Sequence, residues 1–203
     1  MPIKIERPRL LVVEGKEDEL FFEALVEHLS LRDFQIYSAG GKERLRNSLI
    51  ALAKTPGFSE VVSLGVVRDA DENPKAAFQS VRDALKAAGL PTPKRPSQHV
   101  GEKPRVAVLI LPREDKSGTL EDLCLEAVSR DPAIPCVEQY FECLQNSLCF
   151  LTTNNMSKAK VQVFLASKPK AGLRLGEAAK AGYWPWDQDV FEPLKQFLQQ
   201  MAS

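Results

Sequence analysis

Three times within the first ninety residues, a short apolar run gives way to residues at helical spacing. "RLLVVEG" (9–15) precedes Phe21, Leu25 and Leu29, and "FQIYSAGG" (34–41) precedes Leu45, Leu49 and Leu52. "EVVSLGVVRDAD" (60–71) precedes Phe78, Val81, Leu85 and Ala88. Strands that are apolar throughout, rather than at every second residue, are buried on both sides, and alternation with helices predicts a parallel sheet covered on both faces. A Pro- and Gly-rich stretch, 87–104, then reads as a long connection or a lid leading to a fourth strand, "RVAVLILP", so the strands end at about residue 111. Beyond it the pattern is helical, broken by Pro132, Pro135, Pro169, Pro185 and Pro193. The expectation is an α/β fold: a four-stranded parallel sheet flanked by helices over residues 1–112, with a mostly helical extension over 113–203 packed on it.

Composition narrows the function classes. With 27 basic and 27 acidic residues, the chain lacks the basic excess of a protein that coats nucleic acid by net charge, so any such contact must come from a local patch. No stretch approaches the roughly 20 apolar residues of a membrane span, and the start "MPIKIERPRL" lacks the apolar core of a secretory signal. A cytoplasmic protein without membrane contact is expected. Cys124, Cys136, Cys143 and Cys149 show no C-x-x-C pairing, and only His28 and His99 could join them. This reads as four reduced, mostly buried thiols rather than a zinc site or a disulfide framework.

The third strand ends on Asp69 and Asp71. Side chains at i and i+2 of an extended segment share a side, so two carboxylates would crowd there unless a cation sat between them. "DADENP" also suits a solvated loop before a helix with Pro74 near its first position. Ligands of an open parallel sheet bind beyond the carboxyl ends of its strands, the edge that also holds Glu14. Asp18, four residues on, either faces the same site or serves as a helix N-terminal acid favoured by the dipole. Hard oxygen donors in this number suit Mg²⁺ or Mn²⁺, which are usually held by few carboxylates together with waters and substrate phosphates. A phosphoacceptor receiver domain also groups acids at strand ends, but with the pair after the first strand and a lone Asp after the third, the reverse of the order here.

Residues 143–176 contain no acid yet hold Lys158, Lys160, Lys168, Lys170 and Arg174. Clustered cations bind phosphates, and Lys42, directly after the glycine pair, lies near the same strand ends. A solvated basic helix face accounts for the segment equally well. Trp184 and Trp186 either stack on bases or pack the carboxy-terminal helix on the core, the second being the commoner role.

Taken together, "LLVVEGKEDELFFEAL" and "GVVRDADENP" resemble the Toprim domain, the metal-binding α/β module of primases, type IA topoisomerases, small ribosomal RNA maturases and the overcoming-lysogenization-defect (OLD) nucleases. That family carries a glutamate after its first strand and Asp-x-Asp after its third, matched here by Glu14, Asp69 and Asp71, with the "GG" of "SAGGKERL" after the second strand. The resemblance covers about the first 112 residues. The "E-G-x-x-D" variant with Asp18 is closer to the nucleases than to the primases, and stand-alone Toprim proteins carry a "G-x-L-E-D-L" helix, matched by Gly118 to Leu123. The resemblance implies a metal-dependent nuclease acting on DNA or RNA. Glu14 would bridge metals or act as base, Asp69 and Asp71 would be ligands, and Glu121 or Asp122 would serve a second metal, unless that helix is merely amphipathic with its acids outward. Lys158, with Lys160 next to it, would stabilise transition-state charge. The OLD nucleases couple Toprim to an ATPase, whereas no G-x-x-x-x-G-K-[ST] occurs here. The chain therefore works alone or with a partner ATPase encoded elsewhere, and the other reading is a catalytically idle module binding nucleic acid or a partner in defence or repair. Oligomeric state stays open.

Overall fold

The computed structural model describes residues 4–148 and 156–203. Four strands, β1 (Arg9–Val13), β2 (Phe34–Ser38), β3 (Ser63–Asp69) and β4 (Arg105–Leu111), form one sheet in the order β2-β1-β3-β4, all parallel. The helices are α1 (Lys16–His28), α2 (Leu45–Ala53), α3 (Pro74–Ala87), α4 (Leu120–Ala127), α5 (Ile134–Leu148), α6 (Met156–Ala166), α7 (Leu175–Lys180) and α8 (Glu192–Ala202). From β1 the chain steps to β2 on one side and returns to β3 on the other. The strand order thus reverses between β1 and β3, and a crevice opens at their carboxyl ends.

Strand alternation divides the interior into two cores. Leu10, Val12, Leu64, Val66, Val106 and Val108 face α2 and α3, meeting Leu45, Leu49, Leu52, Val81 and Leu85. Leu11, Val13, Val67, Leu109 and Leu111 point the other way, onto Phe21, Phe22 and Leu25 of α1 and the helices after β4. Both tryptophans belong to this second core: Trp184 is fully covered, its indole N–H donating to the Leu175 carbonyl at 3.0 Å, and Trp186 packs edge-on against Phe21. The strands are therefore apolar on both faces because the 113–203 helices cover one of them.

The chain's end is fastened to the start of the sheet. The Arg9 guanidinium donates to the carbonyls of Met201 and Ala202, and Arg105 donates to that of Gln200, filling carbonyls that the last turn of α8 leaves unpaired. Close packing of α8 requires Gly65, where a Cβ would lie 2.5 Å from Met201 Sδ and 2.7 Å from Leu11 Cδ1.

Of the two readings of residues 87–104 the structure shows the connection, and it corrects the expected burial of the thiols. The 87–104 connection lies along the outer edge of β4, with Val100 and Val106 exchanging backbone hydrogen bonds and Ser97 N–H donating to the Val108 carbonyl, so it seals an open sheet edge. Of the cysteines, Cys124 is buried but Cys136 and Cys143 are exposed, because α5 turns its Val137 and Phe141 stripe inward; Cys149 lies outside the described residues. Among the described residues no helix is long and apolar enough to cross a membrane.

Candidate functional site

The β1/β3 crevice is where the sequence-identified acids meet. Glu14 directly follows β1, and its Oε1 accepts the Asp69 backbone N–H from the neighbouring strand at 3.3 Å. Gly41 N–H donates to the Glu14 carbonyl at 2.8 Å, so the turn after β2 is pinned beside β1 and Lys42 reaches Asp71, Nζ to Oδ2, at 2.9 Å. One turn into α1, Asp18 Oδ2 accepts the Gly15 N–H at 3.0 Å. It thus serves as the helix-start acid while its charge bears on Asp69.

Asp69 and Asp71 do not stand side by side. The extended backbone stops at Asp69, and Asp71 takes the left-handed conformation (φ 51°), which Asp tolerates better than most residues. It is held there by two backbone hydrogen bonds with Gly118, Asp71 N–H to the Gly118 carbonyl at 3.0 Å and the reverse at 2.7 Å. Asp69 consequently looks toward α4, its Oδ1 accepting the Leu120 N–H at 3.0 Å, whereas Asp71 looks toward Lys42 and Arg68.

The structure separates Glu121 from Asp122. Asp122 Oδ2 accepts both the backbone N–H (2.8 Å) and the hydroxyl (3.0 Å) of Thr119, and its Oδ1 accepts the Ser157 hydroxyl of α6. Its oxygens are spent on closing the helix start and tying α6 to α4. Glu121 instead adds its charge to those of Asp18 and Asp69.

Proton affinities record this crowding. Burial, then the charges of Asp18, Glu14, Glu121 and Asp71, push the Asp69 carboxyl well above its ordinary range. Burial pushes Asp18 up to about 6, and raises Glu14 against the opposing pull of Arg68. The Cys124 thiol beneath them is driven up by burial and by the same acids, which keeps it an inert neutral thiol.

Two cavities border these acids. One of about 560 Å³ is lined by Lys42, Arg68, Asp71, Thr119, Asp122 and Ser157. Another of about 330 Å³ is lined by Glu17, Glu121, Lys158, Gln162 and Arg174. Lys158 therefore shares a cavity with Glu121. Two other cations of the acid-free segment are engaged elsewhere: Lys160 pairs with Glu138 at 2.6 Å, and Lys168 pairs with Asp131 at 2.6 Å while lying over the Phe164 ring. Lys170 is exposed, its backbone N–H donating to the Tyr183 hydroxyl, and Arg174 stands 4.0 Å from Glu17. Arg68, which the sequence reading missed, was signalled by its position: a cation one residue before the first Asp of a buried strand end.

Hard oxygens with raised proton affinity, gathered at a strand-end crevice, are a donor set that fits Mg²⁺ or Mn²⁺, since a divalent cation would offset the repulsion that now favours protons. Among the described residues, no group of three or more carboxylate, histidine or cysteine side chains is placed so that it could hold a metal ion.

Fold and site define a parallel α/β protein with an acidic crevice at its topological switch point. The chain belongs to the family described as "Protein of unknown function (DUF3226)", whose model matches residues 8–203. No curated protein matches it. Among solved structures it is similar to the hypothetical protein PH0156 from Pyrococcus horikoshii OT3, at 20% identity over 97% of this chain and 95% of that one, with a TM-score of 0.64. At that identity the likeness speaks for the fold alone.

Proposed function

We propose that the chain is a Toprim-like, metal-dependent phosphodiesterase that cleaves DNA or RNA. The observation that carries this reading is the meeting of Glu14, Asp18 and Asp69 at the β1/β3 crevice with their carboxyls all shifted toward the protonated form. Glu14, Asp69 and Asp71, with Asp18 and Glu121, would hold Mg²⁺ or Mn²⁺, which when bound supplies Lewis acidity toward a phosphodiester and its attacking water. The chain's own residues do the positioning. Lys42 and Arg68 on one side, and Lys158 and Arg174 on the other, offer cations to the phosphates flanking the scissile one, and Lys158 is the group to offset charge at the reacting phosphate.

The test is cleavage of supercoiled plasmid and structured RNA by the purified protein with Mg²⁺ or Mn²⁺, against Asp71→Asn. Cleavage that disappears in the variant supports the reading; full activity in the variant sinks it.

One observation favours a second reading, an idle module that binds nucleic acid or a partner ATPase. Glu14 and Asp71 already have cationic neighbours in Arg68 and Lys42. Intact substrates that are nonetheless retained by the protein, or an ATPase recovered with it in stable complex, would favour this alternative.

A further inference from the structure

We infer that Arg68 is a displaceable counter-ion of the acid cluster: it stands between Glu14 and Asp71, would yield them to a divalent cation, and would then turn to substrate phosphate in the cavity it lines. The inference rests on the metal-dependent reading above and assigns a positioning role within that site.

Leu64 and Val66 of β3 face α2 and α3, and the next residue on that side is Arg68, at the rim of that core with only 11% of its side chain exposed. A guanidinium has five N–H donors, and one so covered ordinarily finds an acceptor for most of them. Here Nη1 donates to Ser80 Oγ at 3.2 Å, whereas Nε is buried without a hydrogen-bond partner. The two acids stand just too far for good hydrogen bonds, Glu14 Oε1 at 3.5 Å from Nε and Asp71 Oδ2 at 3.8 Å from Nη2. An arginine built in as a fixed strut would grip a carboxylate through two parallel hydrogen bonds. Apart from the bond to Ser80, Arg68 is held to these acids by charge without directional bonds, and it straddles acids from two different strand ends.

Exchange is therefore undemanding. Giving up Glu14 and Asp71 breaks no hydrogen bond between them and Arg68, and Asp71 keeps Lys42 at 2.9 Å. The guanidinium already borders the cavity of about 560 Å³ beside the acids, and its planar fork suits phosphate oxygens.

The experiment is calorimetric titration of Mn²⁺, without nucleic acid, into wild type, Arg68→Gln and Arg68→Lys at pH 8 and constant ionic strength. Removing the competing charge should tighten Mn²⁺ binding roughly tenfold in Arg68→Gln, and Arg68→Lys should return to near the wild-type affinity. Equal or weaker Mn²⁺ binding in Arg68→Gln, with wild type binding normally, overturns the counter-ion role and leaves the metal reading intact. A wild type that binds no Mn²⁺ overturns the metal reading itself and this inference with it. Should Arg68→Gln fail to fold, mass-mapped phenylglyoxal modification of wild type decides the matter: Mn²⁺ should speed modification of Arg68 several-fold, and an unchanged or slower rate overturns the proposal.

Discussion

The backbone N–H of Leu120, the first residue of α4, donates to Asp69 Oδ1 at 3.0 Å across 51 positions of sequence. This single hydrogen bond joins the end of β3 to the first helix of the carboxy-terminal region, and it leaves the other oxygen of Asp69 for the crevice. The acid at the centre of the cluster thus also fixes where α4 begins.

Asp69→Ala and Asp69→Asn should consequently part company. Alanine removes the acceptor of a helix-start N–H and should cost about 1–2 kcal/mol. Asparagine keeps an acceptor and removes a buried charge, so at pH 8 it should be at least as stable as wild type while losing Mn²⁺ binding. Urea denaturation and calorimetry on the two variants check both halves.

The raised carboxyl of Asp18 makes a pH prediction whose sign is opposite to that of a salt-bridged acid. Its pKa rises from 3.8 unfolded to about 6 folded, so the folded state binds the proton more tightly. Stability from this group is present below pH 4 and is lost as pH climbs through 6, a change of roughly 2–3 kcal/mol. Asp18→Asn, which retains an acceptor for the Gly15 N–H, should flatten that slope in metal-free protein. Added Mn²⁺ should raise Tm more at pH 8 than at pH 5.

Gly118 is the hinge on which Asp71 is hung. Its φ is +131°, and a Cβ there would lie 2.9 Å from Asp122 Oδ2 and 3.2 Å from Pro112 Cδ. Gly118→Ala should therefore destabilise the fold by about 1–3 kcal/mol and, by shifting the Asp71 bridge, weaken Mn²⁺ binding. Thermal melts with and without Mn²⁺ separate the two effects.

The basic segment should divide by place, according to which cations line the cavity beside Glu121. Lys160→Gln and Lys168→Gln remove cations already matched to Glu138 and Asp131, so nucleic-acid affinity should stay within about twofold of wild type. Lys158→Gln and Arg174→Gln act in the cavity beside Glu121, and each should lower affinity several-fold and reduce the salt slope by about one. Fluorescence anisotropy across a salt series measures both.

Periodicity alone determined the parallel sheet, its helices and the placement of Glu14, Asp69 and Asp71 at strand ends, because hydrophobic spacing is written locally, residue by residue. Tertiary structure decided everything that depends on which distant groups meet. It spent Asp122 on Thr119 and Ser157 while leaving Glu121 in the cluster, and it turned Asp71 away from Asp69 through a left-handed residue pinned by Gly118. It matched Lys160 and Lys168 of an acid-free stretch with Glu138 and Asp131, brought Cys136 and Cys143 to the surface, and set Arg68 between two carboxylates. A charge carries no local sign of its partner: pairing energy depends on separation and burial, and both arise only when segments far apart in sequence pack together.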